Sequence, residues 1–294
     1  MPRGILCCLV IMALLIAAPG PSAGADRPDG TGRSEEEGRS PSRRAGNALE
    51  RLWAERSAPG GLERALEALE DAVRSEPADR IVHERLVRLR FFQGDRVLPE
   101  ESPRRMQAWH RCVADGVQGL ARHGAAGGLP VRDIEDVDRL RDRIEKSAVG
   151  ILFWTTLCYG NTIPGFSLFR QASGARRFHR LLQRCLSLDE TYFQGGPHRT
   201  LADFLHQAPG IMGGDDDLAA RHADAAVRLF PRWAENRLCR ARNVWLPRRD
   251  RDRYRQDLEA ALESPDDAYP DGEPEQRAAR EEARRLLTAP ASSP

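Results

Sequence analysis

Residues 186–231 read LSLDETYFQGGPHRTLADFLHQAPGIMGGDDDLAARHADAAVRLFP, and they decide the fold. Their second half is an alanine-rich amphipathic helix closed by proline, Ala225-Ala226-Val227-Arg228-Leu229-Phe230-Pro231. The same grammar returns as Glu259-Ala260-Ala261-Leu262-Glu263-Ser264-Pro265, which places Pro231 and Pro265 34 residues apart. A period of that length is the mark of paired antiparallel helices that stack on their neighbours, because no pair can bury its apolar face alone. The first half adds a glycine-rich segment and a long loop that a plain repeat lacks.

Working outward, the period is that of tetratricopeptide repeats, and the flanking chain continues in helices. Leu62, Ala65, Leu66, Leu69, Ala72 and Val73 recur at three- and four-residue spacing, one face of a helix that Pro77 ends. A helix over 81–92 follows, with Gly94-Asp95 expected to stop it. Ser102-Pro103 then opens a helix carrying Met106, Trp109, Cys112, Val113, Val117 and Leu120 on its apolar side. A more polar helix over 134–144 should lie on the surface. Residues 149–159, VGILFWTTLCY, are apolar nearly all round, which places that helix in the middle of the fold. Residues 163–166 make an apolar turn, and 275–287 form a last amphipathic helix that caps the stack. No segment sustains strand-like alternation. The expected class is all-α, with tetratricopeptide-like stacked helix hairpins forming one α-solenoid domain over residues 47–290.

The N-terminus sets the compartment. Arg3, an apolar run from Ile5 to Ala18 and the small residues Ala23-Gly24-Ala25 read as a signal peptide over residues 1–25, cleaved after Ala25. The run is shorter than the roughly 20 apolar residues of a membrane span. Cys7 and Cys8 lie too early in it for a lipid-modified cysteine, so an exported periplasmic protein is favoured over a lipoprotein. Residues 26–46, rich in Gly, Ser, Pro, Glu and Arg, read as a disordered tether. Asn47 is positioned to cap the first helix.

Forty-five basic residues against 44 acidic ones give a net charge of +1, so no bulk field recruits nucleic acid. Lys146 is the only lysine. Arginine-rich patches such as 248–253 alternate with acids, as on an ion-paired helix surface. Cys112, Cys158, Cys185 and Cys239 lack metal-ligand spacing and allow three disulfide pairings, which sequence does not rank. There is no nucleophile elbow, phosphate-binding loop, dinucleotide fingerprint or His-Glu-x-x-His motif, hence no candidate catalytic residue, cofactor or metal. His198 and His206 are offset by about 80° on a helix and do not form a metal pair; His222 could join them only through tertiary folding. Asp215-Asp216-Asp217 looks superficially like a calcium cluster but precedes a helix, where acids cap backbone N–H groups.

The pattern Asp189-x-x-Tyr192-x-x-Gly195-Gly196-x-x-Arg199-x-Leu201, continued by Pro209, Gly213-Gly214-Asp215, Ala219, His222, Ala226 and Pro231, resembles the T-component of TRAP transporters. The aromatic helix around Phe153-Trp154 is similar to the one that precedes this motif in the family. The likeness covers roughly residues 48–287, with its specific part in 150–265. It implies a homo-trimer whose protomers each carry an apolar tunnel. It also implies docking to a periplasmic solute-binding protein and transfer of a hydrophobic small molecule. Family members typically carry a lipid anchor, from which this chain departs.

Trp109, Phe153, Trp154, Tyr159, Tyr192 and Phe193 are the expected tunnel lining, or else the packing between helix pairs. Gly195 and Gly196 allow backbone conformations closed to other residues, serving either a tight turn or a bare-backbone wall. Arg199 either pairs with Asp203 on the helix surface or points inward, toward the Asp189 loop or a ligand carboxylate. The loop carrying Pro209, Ile211, Met212 and Gly214 is an insertion that projects toward a partner or folds back. Two functions follow: a ligand-handling transport accessory, or a scaffold for exported complexes with a solid core.

Overall fold

A computed structural model describes residues 41–56, 58–124, 130–269 and 272–288. The expected leader, its expected cleavage site and residues 26–40 of the expected tether lie outside the described residues. The helices are α1 (Pro41–Ala54), α2 (Gly61–Ser75), α3 (Arg80–Phe92), α4 (Pro103–His123), α5 (Ile134–Arg139) and α6 (Val149–Thr162). They continue as α7 (Leu168–Leu188), α8 (Tyr192–Gln207), α9 (Asp216–Leu229), α10 (Ala234–Arg240), α11 (Arg251–Glu263) and α12 (Glu273–Thr288). Among the described residues there is no strand. Successive helices pack on one another along the chain, except that the short α5 packs on α4 and α7 rather than on α6, so the class is all-α and solenoid-like. No described helix is long and apolar enough to cross a membrane.

Local chemistry sets most boundaries. Ser102 accepts from the Arg104 N–H and Pro103 opens α4, where a missing N–H costs nothing. Asp79 caps α3 through the Ile81 and Val82 N–H groups. Asp215 caps α9 by accepting from Leu218 N at 2.8 Å, which gives the triple-Asp run its capping role. Asp250 likewise caps α11, accepting from Arg253 N at 3.0 Å. The structure departs from expectation at three places. Asn47 lies inside α1, which begins at Pro41, and so does not stand at the start of the first helix. Gly94-Asp95 does not stop α3: the chain continues as a π turn over Gln93–Val97, because Gly94 lets the backbone press on the Trp109 ring. The helix expected over 134–144 is shorter, giving way after Arg139 to a 3-10 turn, with Ile134, Val137 and Ile144 anchored in the core.

The core centres on α6, where residues from Val149 through Gly160 are all buried. It packs between α3, α4 and α7. Gly116 of α4 lies where any side chain would collide with Thr155 of α6, so the two helices approach closely. A disulfide between Cys112 and Cys158 joins the same helices, with Cα atoms 6.0 Å apart and 46 residues between them in sequence. Closing a loop of that length restrains the unfolded chain by about 4 kcal/mol on the chain-entropy account. Cys185 and Cys239 are buried thiols.

The C-terminal helix returns to the N-terminal half. Arg88 of α3 donates to Glu275 of α12 at 2.9 Å. Gln276, fully buried, accepts from Ala234 N at 2.9 Å and donates to Arg232 O at 2.8 Å. These bonds tie α12 to α3 and to the turn between α9 and α10.

Candidate functional site

At the N-terminal end of α8 the backbone leaves the ordinary helical region. Phe193, Gln194 and Gly195 take φ values of 45°, 51° and 76° before the helix resumes at Gly196-Pro197. Glycine tolerates this; Phe and Gln lose about 1 kcal/mol each or more. The glycine pair was expected to carry the unusual backbone, whereas two of the three left-handed residues have side chains. A buried polar clamp holds them there. Asn236 of α10, with no exposed surface, donates to Gln194 O at 3.1 Å, Ala226 O at 2.9 Å and Phe230 O at 3.2 Å. Its Oδ1 accepts from Arg199 Nη1 at 2.7 Å.

Arg199 therefore points inward, and its partners are Asn236 and the Gln194 carbonyl rather than Asp203 or the Asp189 loop. Burial lowers its pKa from the ordinary arginine value, opposed by the charge of Glu235. Gly196 contributes by closeness: a Cβ there would stand 2.8 Å from Phe153 Cζ. Gly195 backs onto Ala226, its hypothetical Cβ 3.4 Å from that residue's Cα.

The left-handed turn aims Phe193 into an aromatic group. Its ring centroid lies 4.6 Å from Trp154 and 5.6 Å from Trp233, both edge-on. Phe153 packs edge-on against Trp154 at 5.1 Å and Tyr192 at 5.4 Å. Phe153, Trp154, Phe193 and Trp233, with Phe91 and Phe92 of α3, bound a cavity of about 90 Å³. That is less than the roughly 300 Å³ of a typical small-molecule pocket, and suits a chain or ring end rather than a whole ligand.

The other wall is charged. Asp95 and Arg96 come from the π turn after α3, Asp203 and Arg199 from α8, Glu235 from α10 and Glu275 from α12. Burial raises the Asp95 carboxyl, with Arg96 pulling against it. Asp203 is likewise raised by burial, opposed by Arg242 and by the hydrogen bond from Asn243. Glu235 is also pushed up by burial, yet Arg96, Arg242 and Arg199 together hold it below the usual carboxylate range. The Trp233 indole N–H, wholly buried, has no protein partner.

Of the residues singled out from sequence, Phe153, Trp154, Phe193 and Arg199 meet at this cavity. Tyr192 stands behind it, accepting from Trp154 Nε1 and donating to Glu84 Oε1, each at 2.8 Å. Trp109 and Tyr159 do not reach it. Trp109 packs behind Phe91 at 5.5 Å, and Tyr159 is turned toward Arg177, which donates to its hydroxyl at 2.8 Å. The residues missed are Phe91, Phe92, Asp95, Arg96, Trp233, Glu235 and Glu275. Phe91 and Phe92 end an ordinary apolar face, so nothing in their spacing marks them.

The insertion loop splits its two apolar residues. Gly210–Met212 form a 3-10 turn, with Pro209 O accepting from Met212 N at 2.7 Å and Gly214 N at 3.1 Å. Ile211 is 91% exposed, while Met212 folds back onto the core. Gly214 sits where a side chain would strike Ala208 O. Nearby, His198 and His222 do meet, Nδ1 to Nδ1 at 2.8 Å, with Glu190 3.2 Å from the other nitrogen of His198. Among the described residues no group of three or more His, Cys, Asp or Glu is placed to hold a metal ion.

Compared with known families, residues 103–292 match the model of the TRAP transporter T-component. The chain belongs to that family. The match spans the stretch from α4 to beyond α12 and so includes the α6 aromatics, the left-handed turn and the insertion loop. No curated relative matches the chain. As a T-component it is an accessory of a TRAP transport system.

Proposed function

We propose that this T-component is an exported accessory protein that binds a hydrophobic small molecule, with one end of it in the aromatic cavity. In this reading it docks a periplasmic solute-binding protein through the turn carrying Pro209, Ile211, Met212 and Gly214. The observation that carries it is the cost accepted at Phe193 and Gln194. Two strained residues are clamped by a buried Arg–Asn pair, and the result is a Phe193 ring placed beside Trp154 and Trp233 at the cavity. Backbone strain of this kind persists where surrounding structure over-determines it, commonly at binding sites. The Cys112–Cys158 bridge supports export, since such bonds persist in oxidising compartments. The leader reading, with cleavage after Ala25, agrees with that placement. A homo-trimer follows from the family resemblance, and no catalytic step is assigned.

The test is native mass spectrometry of the protein exported into a periplasm and purified without detergent. The expected result is a trimer with added mass that organic extraction removes. A bare monomer that also fails to bind apolar dyes and fatty acids would overturn the reading and leave the scaffold function.

A further inference from the structure

Arg88 of α3 stands in the wall between the aromatic cavity and a second, outer cleft. It is 6% exposed. Its guanidinium carbon lies 5.2 Å from the Trp53 ring centroid, 5.7 Å from that of Trp154 and 4.7 Å from that of Phe193. Trp154 and Phe193 belong to the inner cavity. Trp53 belongs to the outer cleft, a depression of about 530 Å³ that also includes Arg80, Arg85, Lys146 and Tyr192. The hydrogen bond from Trp154 to Tyr192 joins the two linings directly.

The two spaces differ in charge. The outer cleft is lined by Arg80, Arg85, Arg88 and Lys146 against Glu84 alone among its lining acids. Glu84 is already engaged, paired with Arg80 at 3.2 Å and accepting from Tyr192. Glu50 and Asp189 reach in from the rim to Arg85 at 2.7 Å and Lys146 at 3.5 Å. Both Glu50 and Lys146 keep most of their side chains in solvent, where such pairs are weak. The cleft lining itself thus carries an excess of positive charge, balanced only from its rim and from Glu275.

The Arg88–Glu275 contact is uneven. Arg88 Nε and Nη2 both donate to Oε1, at 3.1 Å and 2.9 Å. Oε2 is buried without a partner. The pair uses one carboxylate oxygen where the guanidinium fork fits two, and leaves a buried acceptor unpaid for. A carboxylate entering from the cleft, using both oxygens, would compete well for Arg88.

We propose that the outer cleft receives the carboxylate head of a long-chain amphiphile. Arg88 is the group that takes it, and the exchange of Glu275 for the ligand connects cleft to cavity. The end of the alkyl chain then reaches Phe153, Trp154 and Phe193. This rests on the reading that the cavity holds a hydrophobic ligand, and adds its head group and its route of entry.

The test titrates delipidated protein with dodecanoate, dodecan-1-ol and dodecylammonium, following tryptophan emission. Dodecanoate is expected to bind about tenfold tighter than the alcohol or better, with the ammonium weakest. Arg88→Gln should bring the carboxylate-to-alcohol ratio to about one, with a circular dichroism spectrum like that of the wild type. The more exposed pair Arg80→Gln and Lys146→Gln should lower it about threefold, and decides the matter if Arg88→Gln fails to fold. Equal binding of carboxylate and alcohol by the wild type, or a ratio unmoved in the folded variants, overturns the head-group assignment but leaves the apolar-ligand reading standing. Failure of all three probes overturns both.

Discussion

Phe193 and Gln194 sit in left-handed conformations where Asn236 and Arg199 grip the Gln194 carbonyl. Asn236→Ala removes that grip and leaves the Arg199 guanidinium without its side-chain acceptor, while the Ala226 and Phe230 carbonyls keep the Phe230 and Trp233 N–H groups. A buried group left unsatisfied costs about 1–3 kcal/mol, more when charged, so the variant should be destabilised by roughly 3 kcal/mol in urea unfolding. The turn should also relax, withdrawing Phe193 from Trp154, so cavity binding should fall further than stability alone explains. A variant with wild-type midpoint and wild-type dye binding would remove Asn236 from the account. At His222, burial and the neighbouring charges of His198, His179 and Arg221 depress the pKa from 6.5 to about 4. The unfolded chain therefore takes up a proton there before the folded one does. Above pH 6.5 the group contributes no difference; as pH falls toward 4 it favours unfolding progressively. His222→Gln should flatten the decline of Tm between pH 7 and pH 4.5, while an unchanged decline would assign it to the protein's other titrating groups.

At the scale of the element, the insertion between α8 and α9 presents Ile211 to solvent while Met212 and the Pro209 carbonyl hold the turn in place. Ile211→Asp touches no core contact, so its effect on stability should stay within about 0.5 kcal/mol. If the turn docks a solute-binding protein, the same change should weaken that complex tenfold or more in titration calorimetry, because an apolar anchor at an interface is replaced by a charge. Unaltered affinity would take the turn out of the interface. This loop was legible as an insertion because the 34-residue period set the expected length. Helix α6 was legible because it is apolar all round, and the capping roles of Ser102 and Asp215 because they precede periodic runs. The charged wall was not. Asp95 and Arg96 reach the cavity through a π turn, and Asn243 meets Asp203 from another over Ala241–Trp245; no residue pattern marks where a helix widens. Nor could spacing reveal the left-handed Phe193 and Gln194, whose conformation is imposed by Asn236, more than forty residues away in sequence. The pairing of Cys112 with Cys158 depends in the same way on α4 and α6 lying side by side.

At the scale of the molecule, the cavity is assembled from positions as far apart in sequence as Phe91 and Glu275, and α12 completes it. A solenoid built only of nearest-neighbour contacts would lose a terminal helix at little cost to the rest. Here α12 does more than cap. Gln276 satisfies the Ala234 N–H and the Arg232 and Pro265 carbonyls, Glu275 pairs with Arg88 across 187 residues, and Glu282 binds Arg242 at 2.7 Å. Ending the chain at Ser264 should therefore leave Arg88 and Arg242, both part of the charged surroundings of the cavity, without these carboxylate partners. Trp233, which Gly272 approaches too closely to admit a side chain, should become accessible. The expected outcome is a red-shifted tryptophan emission with stronger acrylamide quenching, together with lost binding of apolar dyes, while helicity falls by no more than the residues removed. Coupling across the ring of contacts explains why: the aromatic wall is held by α6 and α8, but the charges that face it are neutralised from α12. A truncated chain that kept wild-type quenching and dye binding would show instead that the cavity is finished before the last helix docks.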